Sequence, residues 1–287
     1  MYRYFCSMTH NEFRKNRIEA LVAFGYEEGE ARAIWNLWCA EVLRVDRVTW
    51  ELRSTRNIDH DVERTTAEAW KRLAQGEPIQ HVIGHTWFRG LKLAVSSAVL
   101  IPRPETEELV DIVLERVDEP ASILDVGTGS GCIALSLQKE WPQSQVTGLD
   151  VSHDALEVAK SNSMAHALDV EWTLGDLMHD PPDRKFDIIV SNPPYIPVEE
   201  AKELEQRVSK FEPIVALYSP DGQPIGFYER LAIWGESMLS PLGSMMLETH
   251  HILGHEVAQH LKSRGWKHVE IREDDCGKPR FIIAQRP

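Results

Sequence analysis

The stretch Ile123-Leu124-Asp125-Val126-Gly127-Thr128-Gly129-Ser130-Gly131-Cys132 decides the fold. An apolar strand runs into three spaced glycines and out into a helical segment, 133–139. Glycine lets the backbone pass close to a ligand, and a helix N-terminus offers unpaired N–H groups, so a nucleotide-like ligand is implied. The dinucleotide fingerprint needs G-x-G-x-x-G, but the third glycine here comes one residue early and Cys132 takes its place. The spacing D-x-G-x-G-x-G favours S-adenosylmethionine instead. Its sulfonium and amino group suit the nearby carboxylate of Asp125 better than a pyrophosphate would, with Gly127, Thr128, Gly129 and Gly131 as the cradle. Cys132 reads as a small packing residue, because no histidine lies near it in sequence.

Outward from this loop, strands alternate with helices. Candidate strands are 122–126, 145–149, 170–174, 186–191, 244–248, 268–271 and 281–284, and helical stretches include 154–167, 227–239 and 254–264. This is the pattern of an α/β domain, a parallel sheet of about seven strands covered on both faces. From about Glu12 to Leu73 the texture is helical and almost free of glycine and proline, which reads as a small bundle. Gly76-Glu77-Pro78 punctuates, and apolar runs at 82–88 and 91–95 flank Arg89-Gly90, predicting a linking β-hairpin. The expected division is a helical domain over 1–75, a hairpin linker over 76–105 and the α/β domain over 106–287.

Two further acids follow successive strands. Asp150 lies about twenty residues beyond the glycine loop, where a carboxylate can accept both ribose hydroxyls. Asp176 in Gly175-Asp176-Leu177 could accept the exocyclic amine of adenine while Leu177 covers the ring. Any single Asp after a strand is often only a cap; three after three strands, all opening on the carboxyl edge of a sheet, point to one crevice. The fourth strand ends in Ser191-Asn192-Pro193-Pro194-Tyr195-Ile196-Pro197. Tandem prolines remove two backbone donors, so the loop presents mainly acceptors. The Asn192 side-chain oxygen and the Pro193 carbonyl can each take one N–H of a planar amine, turning its lone pair toward a methyl group. Pro194 stiffens the loop, and Tyr195 can lay its ring against the acceptor. Alone, Asn-Pro-Pro could be merely a turn. After a methyl-donor loop it matches the enzymes that methylate the amino nitrogen of adenine, cytosine or glutamine.

The 287 residues are 43% hydrophobic and 26% charged, a composition with ample material for a core. The net charge of −14 opposes a phosphate-backbone ligand, and the longest basic clusters are Arg14-Lys15-Asn16-Arg17 and Lys71-Arg72. Cys6, Cys39, Cys132 and Cys276 are scattered singly, suggesting neither a disulfide framework nor a metal site. No apolar run reaches the roughly 20 residues of a membrane span and no secretory h-region opens the chain, so a cytoplasmic protein without membrane contact is expected.

From about Gly76 onward the chain resembles the HemK family, the peptide chain release factor glutamine methyltransferases. Besides 125–131 and 192–195, the resemblance rests on Gly76-Glu77-Pro78-Ile79-Gln80, on Val99-Leu100-Ile101-Pro102-Arg103-Pro104-Glu105-Thr106-Glu107, and on Asp221-Gly222 followed by Phe227-Tyr228. It implies a Rossmann-like class I methyltransferase domain of seven strands, the last antiparallel, behind a helical domain that helps engage a class I release factor. It also implies that the acceptor is the glutamine of that factor's Gly-Gly-Gln loop, with S-adenosylhomocysteine as by-product and no nucleic-acid substrate. Leu247-Glu248-Thr249-His250 departs from the family, which usually has a small glycine turn after the Glu. The rivals are a DNA or RNA amino methyltransferase, a glutamine methyltransferase acting on a ribosomal protein, a binding module that keeps the fold without activity, and a dehydrogenase with a misread glycine loop. Arg103 reads as a domain-linking ion pair more than a catalytic group; no Asp or Glu is assigned as general base, and Glu105 and Glu107 could equally be structural.

Overall fold

A computed structural model describes residues 8–196, 210–220 and 222–287. Cys6, Pro197 and Asp221, named above, lie outside them. The chain divides into two compact units, Met1–Gly84 and His85–Pro287.

The first unit is helical: α1 (His10–Ala23), α2 (Glu28–Trp38), α3 (Arg47–Leu52), α4 (His60–Leu73) and α5 (Ile79–Ile83), with a π turn at Cys39–Leu43 closing α2. Thr9 and Glu12 form a reciprocal capping box that starts α1. Its core is aromatic, with Trp35 meeting Trp50 and Trp70 edge to face at 5.0 and 5.8 Å. The apolar run at 82–88, expected to be all strand, is divided. Pro78 at the N-cap and Gly84 in the left-handed region bracket Ile79–Ile83 as one helical turn, and Arg72 braces it through Glu77 and the His81 and Val82 carbonyls. The basic clusters are largely paired, Arg14 with Glu51, Lys71 with Glu68 and Arg72 with Glu77.

The second unit opens with the hairpin, β1 (His85–Phe88) and β2 (Leu91–Ala94). Arg89 and Gly90 both have positive φ, 45° and 72°, the signature of a two-residue turn of matching twist. The hairpin is part of the α/β unit: the Asn162 side chain bonds both the N–H and the carbonyl of Ala94, and Glu107 accepts from the Arg89 N–H at 3.0 Å. Then come α6 (Pro104–Arg116), β3 (Ser122–Val126), α7 (Cys132–Glu140), β4 (Gln145–Asp150), α8 (His153–His166), β5 (Glu171–Leu174), β6 (Phe186–Ser191), α9 (Gly226–Met238), β7 (Leu239–Glu248), α10 (Gly254–Ser263), β8 (Lys267–Glu273) and β9 (Pro279–Gln285).

The seven strands run in the order β5-β4-β3-β6-β7-β9-β8, and β9 is antiparallel to both neighbours. The central strands are buried on both faces, as an apolar parallel sheet requires: Ile123, Leu124, Ile188, Ile189, Val190, Met245 and Leu247 are all fully buried. One core lies against α9 and α10, the other against α6, α7 and the hairpin. Strand β7 begins at Leu239, five residues before the expected start, because α9 passes into it without a loop and Leu239 pairs with Phe186. The chain order reverses between β3 and β6. That is where sheets of this kind bind ligands, beyond their carboxyl edge.

Candidate active site

Beyond that edge lies a cavity of about 520 Å³, lined by Gly127, Gly129, Asp150, Asp176, Asn192 and Pro193 among others. The size is that of a small-molecule site. Leu177, Pro194 and Phe227 also line it. Thus most of the expected residues converge, although they come from four different strand ends.

The glycine loop is tied to β4 by the N–H groups of Gly127 and Thr128, which both donate to the Leu149 carbonyl, at 2.8 and 3.0 Å. Gly127 and Gly129 have φ of 74° and 55°, and a Cβ on either would project into open space. That leaves bare backbone facing the cavity, as close approach of a cofactor requires. Gly131 also has positive φ, but a Cβ there would meet the Trp172 ring at 2.8 Å, so its lack of a side chain serves packing. Gly148, passed over in the sequence, does the same more severely, at 2.4 Å from that ring.

Asp150 accepts the Ser152 N–H on Oδ1 and the Gly129 N–H on Oδ2, at 2.9 and 2.8 Å. Each oxygen keeps a lone pair for a ribose hydroxyl. Burial raises its pKa, partly offset by those N–H groups. Asp176 stands at the rim, accepting the Met178 N–H on Oδ1 at 2.8 Å.

Asp125 is placed differently from expectation. Its carboxylate is fully buried beneath the loop, away from the cavity lining, with Oδ2 accepting from Thr128 Oγ1 at 2.6 Å and from the Ala134 N–H at 3.2 Å. It braces the loop and the start of α7, and burial pushes its pKa up to about 7. Thr128 likewise faces Asp125 rather than the cavity. Cys132 is buried, and burial pushes its thiol up to about 12, in keeping with a packing role.

At the acceptor loop, Asn192 Nδ2 donates to Thr106 Oγ1 at 3.1 Å, and Thr106 Oγ1 donates to Glu248 Oε2 at 2.8 Å. The Tyr195 hydroxyl donates to Glu248 Oε1 at 3.4 Å, and that of Tyr228 to the Glu248 carbonyl at 3.2 Å. Tyr195 therefore stands behind the loop, its ring 5.9 Å from that of His250, and is not among the cavity-lining residues. Burial, with Glu248 next to it, raises the phenol pKa. Glu248 is itself 1% exposed, and burial pushes it up to about 7. The Thr249 that replaces the family's small glycine turn is fully buried and donates its N–H to the Arg280 carbonyl at 2.7 Å. Arg103 pairs with buried Glu212 at 2.6 Å, inside the α/β unit and not between units as expected. Thr106, Glu248 and Tyr228 were missed as site residues: all three sit in stretches quoted for the resemblance, but nothing in the sequence context of Thr106 and Glu248 shows that they meet across 142 residues.

These features define a class I S-adenosylmethionine-dependent methyltransferase. Solved structures share the fold: a methyltransferase from Pyrococcus furiosus aligns at TM-score 0.53 with 17% identity, over 79% of this chain and 99% of that one. The Thermus thermophilus 16S rRNA N2 G1207 methyltransferase, solved with AdoMet and guanosine, aligns at 0.52 with 18% identity, over 71% and 50%. The sequence matches the Methyltransferase small domain family over residues 106–210 and the PrmC N-terminal domain family over 17–84. It is 34% identical to the release factor glutamine methyltransferase of Bacteroides thetaiotaomicron, over 94% of this chain and 100% of that protein. Its identity to the Koribacter versatilis enzyme of the same name is 38%, over 85% and 88%. The chain belongs to the release factor glutamine methyltransferases.

Proposed function

We propose that this protein transfers a methyl group from S-adenosylmethionine to the side-chain amide nitrogen of the glutamine in the Gly-Gly-Gln loop of a class I release factor. The observation that carries the reading is the single cavity shared by Asp150, Asp176, Asn192 and Pro193, which joins a nucleoside end to an amide end. Bare Gly127 and Gly129 backbone and the spare lone pairs of Asp150 fit the cofactor. Bound there, it supplies an electrophilic methyl group.

The chain's own residues then have a limited task. An amide nitrogen is a poor nucleophile because its lone pair is delocalised into the carbonyl, so rate must come from alignment and from acceptors that favour charge developing on nitrogen. Among described residues no donor occupies Asn192 Oδ1 or the Pro193 carbonyl. Each can receive one N–H of the acceptor glutamine, holding its nitrogen in line with the donor and stabilising the N–H groups as they become more acidic. The proton leaves after transfer, so no titrating base is required. Tyr195 supports the loop from behind, and Leu177 and Phe227 furnish apolar walls.

A nucleic-acid substrate would also offer a planar amine, but a chain of net charge −14 is poorly suited to gather phosphates. The test offers purified enzyme and labelled methyl donor an intact release factor, a factor with the loop glutamine replaced, and duplex and single-stranded DNA. Label on the intact factor alone is expected. Equal label on the replaced factor, or label on DNA, overturns the proposal.

A further inference from the structure

Three elements converge on one buried carboxylate. Thr106 sits in the first turn of α6, Asn192 just after β6, and Glu248 ends β7. Glu248 and Thr106 are 1% and 3% exposed, so water does not compete for their hydrogen bonds.

With Glu248 ionised, donor counting fixes the polarity of this chain of bonds. A carboxylate only accepts, and its two oxygens face two hydroxyls, those of Thr106 and Tyr195. Thr106 has one hydroxyl hydrogen, and Glu248 takes it. Toward Asn192 its oxygen can then only accept. The carboxamide must therefore offer Nδ2 to Thr106, which turns Oδ1 toward the cavity that Asn192 lines. In the opposite orientation Asn192 would meet the glutamine's NH2 with its own, donor against donor.

We infer that Thr106 and Glu248 are positioning residues that fix which end of the Asn192 carboxamide faces the acceptor, and so make the site selective for an incoming NH2 group. The inference rests on the proposed glutamine acceptor for its kinetic arm only. Neither residue touches substrate; both act through Asn192. Arg280, held by Asp274 at 3.1 Å, also favours the ionised form of Glu248.

The test compares Thr106→Val, which keeps shape and removes the hydroxyl, with Thr106→Ser, which keeps the hydroxyl. With release factor as substrate, Thr106→Val should lower kcat about tenfold or more at little change in KM or donor affinity, the scale of one lost orienting bond, and Thr106→Ser should stay near wild type. A second readout needs no turnover. In enzyme saturated with S-adenosylhomocysteine, the Asn192 side-chain NH2 seen by 15N NMR should be protected from hydrogen exchange in wild type and Thr106→Ser and unprotected in Thr106→Val. Wild-type kcat in Thr106→Val, loss in Thr106→Ser equal to that in Thr106→Val, or NH2 protection unaffected by Thr106→Val each overturns the inference. If the wild type leaves every release factor unlabelled, the acceptor assignment fails, and the exchange measurement still decides the role of Thr106.

Discussion

Glu248 and Asp125 are carboxylates held in places where water cannot solvate them, and this carries a thermodynamic signature. Burial lifts Glu248 from the ordinary 4.5 to about 7, so the folded state binds a proton that the unfolded chain has already lost at intermediate pH. Its contribution is therefore neutral below about pH 4.5, grows unfavourable as pH rises, and reaches full cost above about 7. Glu248→Gln does not titrate. We expect the wild type to lose stability between pH 5 and pH 8 by roughly 3 kcal/mol more than this variant, measured by urea unfolding at each pH. A parallel fall in both would mean that Glu248 is solvated in the folded state. At this scale the sequence was only partly legible. Asp150, Asp176 and Asn192 reach the cavity because each sits at, or within two residues of, the carboxyl end of a strand, a place that chain order dictates. Asp125 lies within β3, one residue short of its end, and faces inward under the loop, where Thr128 and the Ala134 N–H hold it. Glu248 looks like any acid closing a strand until α6 is seen beside it.

Elements were legible where periodicity and punctuation agree. All seven strands of the sheet appear near their expected positions, and the central ones, β3 and β6, are the clearest because buried parallel strands are nearly continuous apolar runs. The misreadings have local causes: a five-residue helix between Pro78 and Gly84 is too short to show a period, and Ser240-Pro241-Leu242-Gly243 resembles a loop although it extends β7. What no pattern reveals is which glycine makes room for a ring on the next strand. Trp172 on β5 packs its ring against Gly148 of β4 and Gly131 of the loop, joining the outer strands to the cofactor edge. Gly148→Ala should therefore cost about 1–3 kcal/mol by forcing the indole aside, read as a lower urea midpoint. Combining it with Trp172→Leu should recover part of that loss, as expected for residues in contact. Additive losses would separate the two.

At the level of the whole molecule, the first unit has its own aromatic core and the α/β unit has two large cores and a small one around Val95, Val99 and Ala155, built from its own residues, with the hairpin fastened to α6 and α8. The described residues that line the cavity all belong to the α/β unit. Among the described residues no helix is long and apolar enough to cross a membrane, and no group of acids, histidines and cysteines could hold a metal ion. We propose that the helical unit serves release-factor recognition. A chain beginning at His85 should bind S-adenosylmethionine within about threefold of the full protein by calorimetry, while its KM for release factor rises at least tenfold. Unchanged KM would remove the helical unit from recognition.

The proline after Asn192 has one more consequence, which concerns time. An asparagine ages when the backbone nitrogen of the following residue attacks its side-chain carbonyl and expels ammonia, and water then opens the resulting cyclic imide to aspartate or isoaspartate. Pro193 has no N–H with which to do so. Were Asn192 to become Asp, it would lose the Nδ2 that Thr106 holds and would place a charge where the incoming amide must dock. The stiff loop therefore also closes the ordinary route of chemical decay at the residue that can least tolerate it, and the site should keep its carboxamide for as long as the chain stays folded.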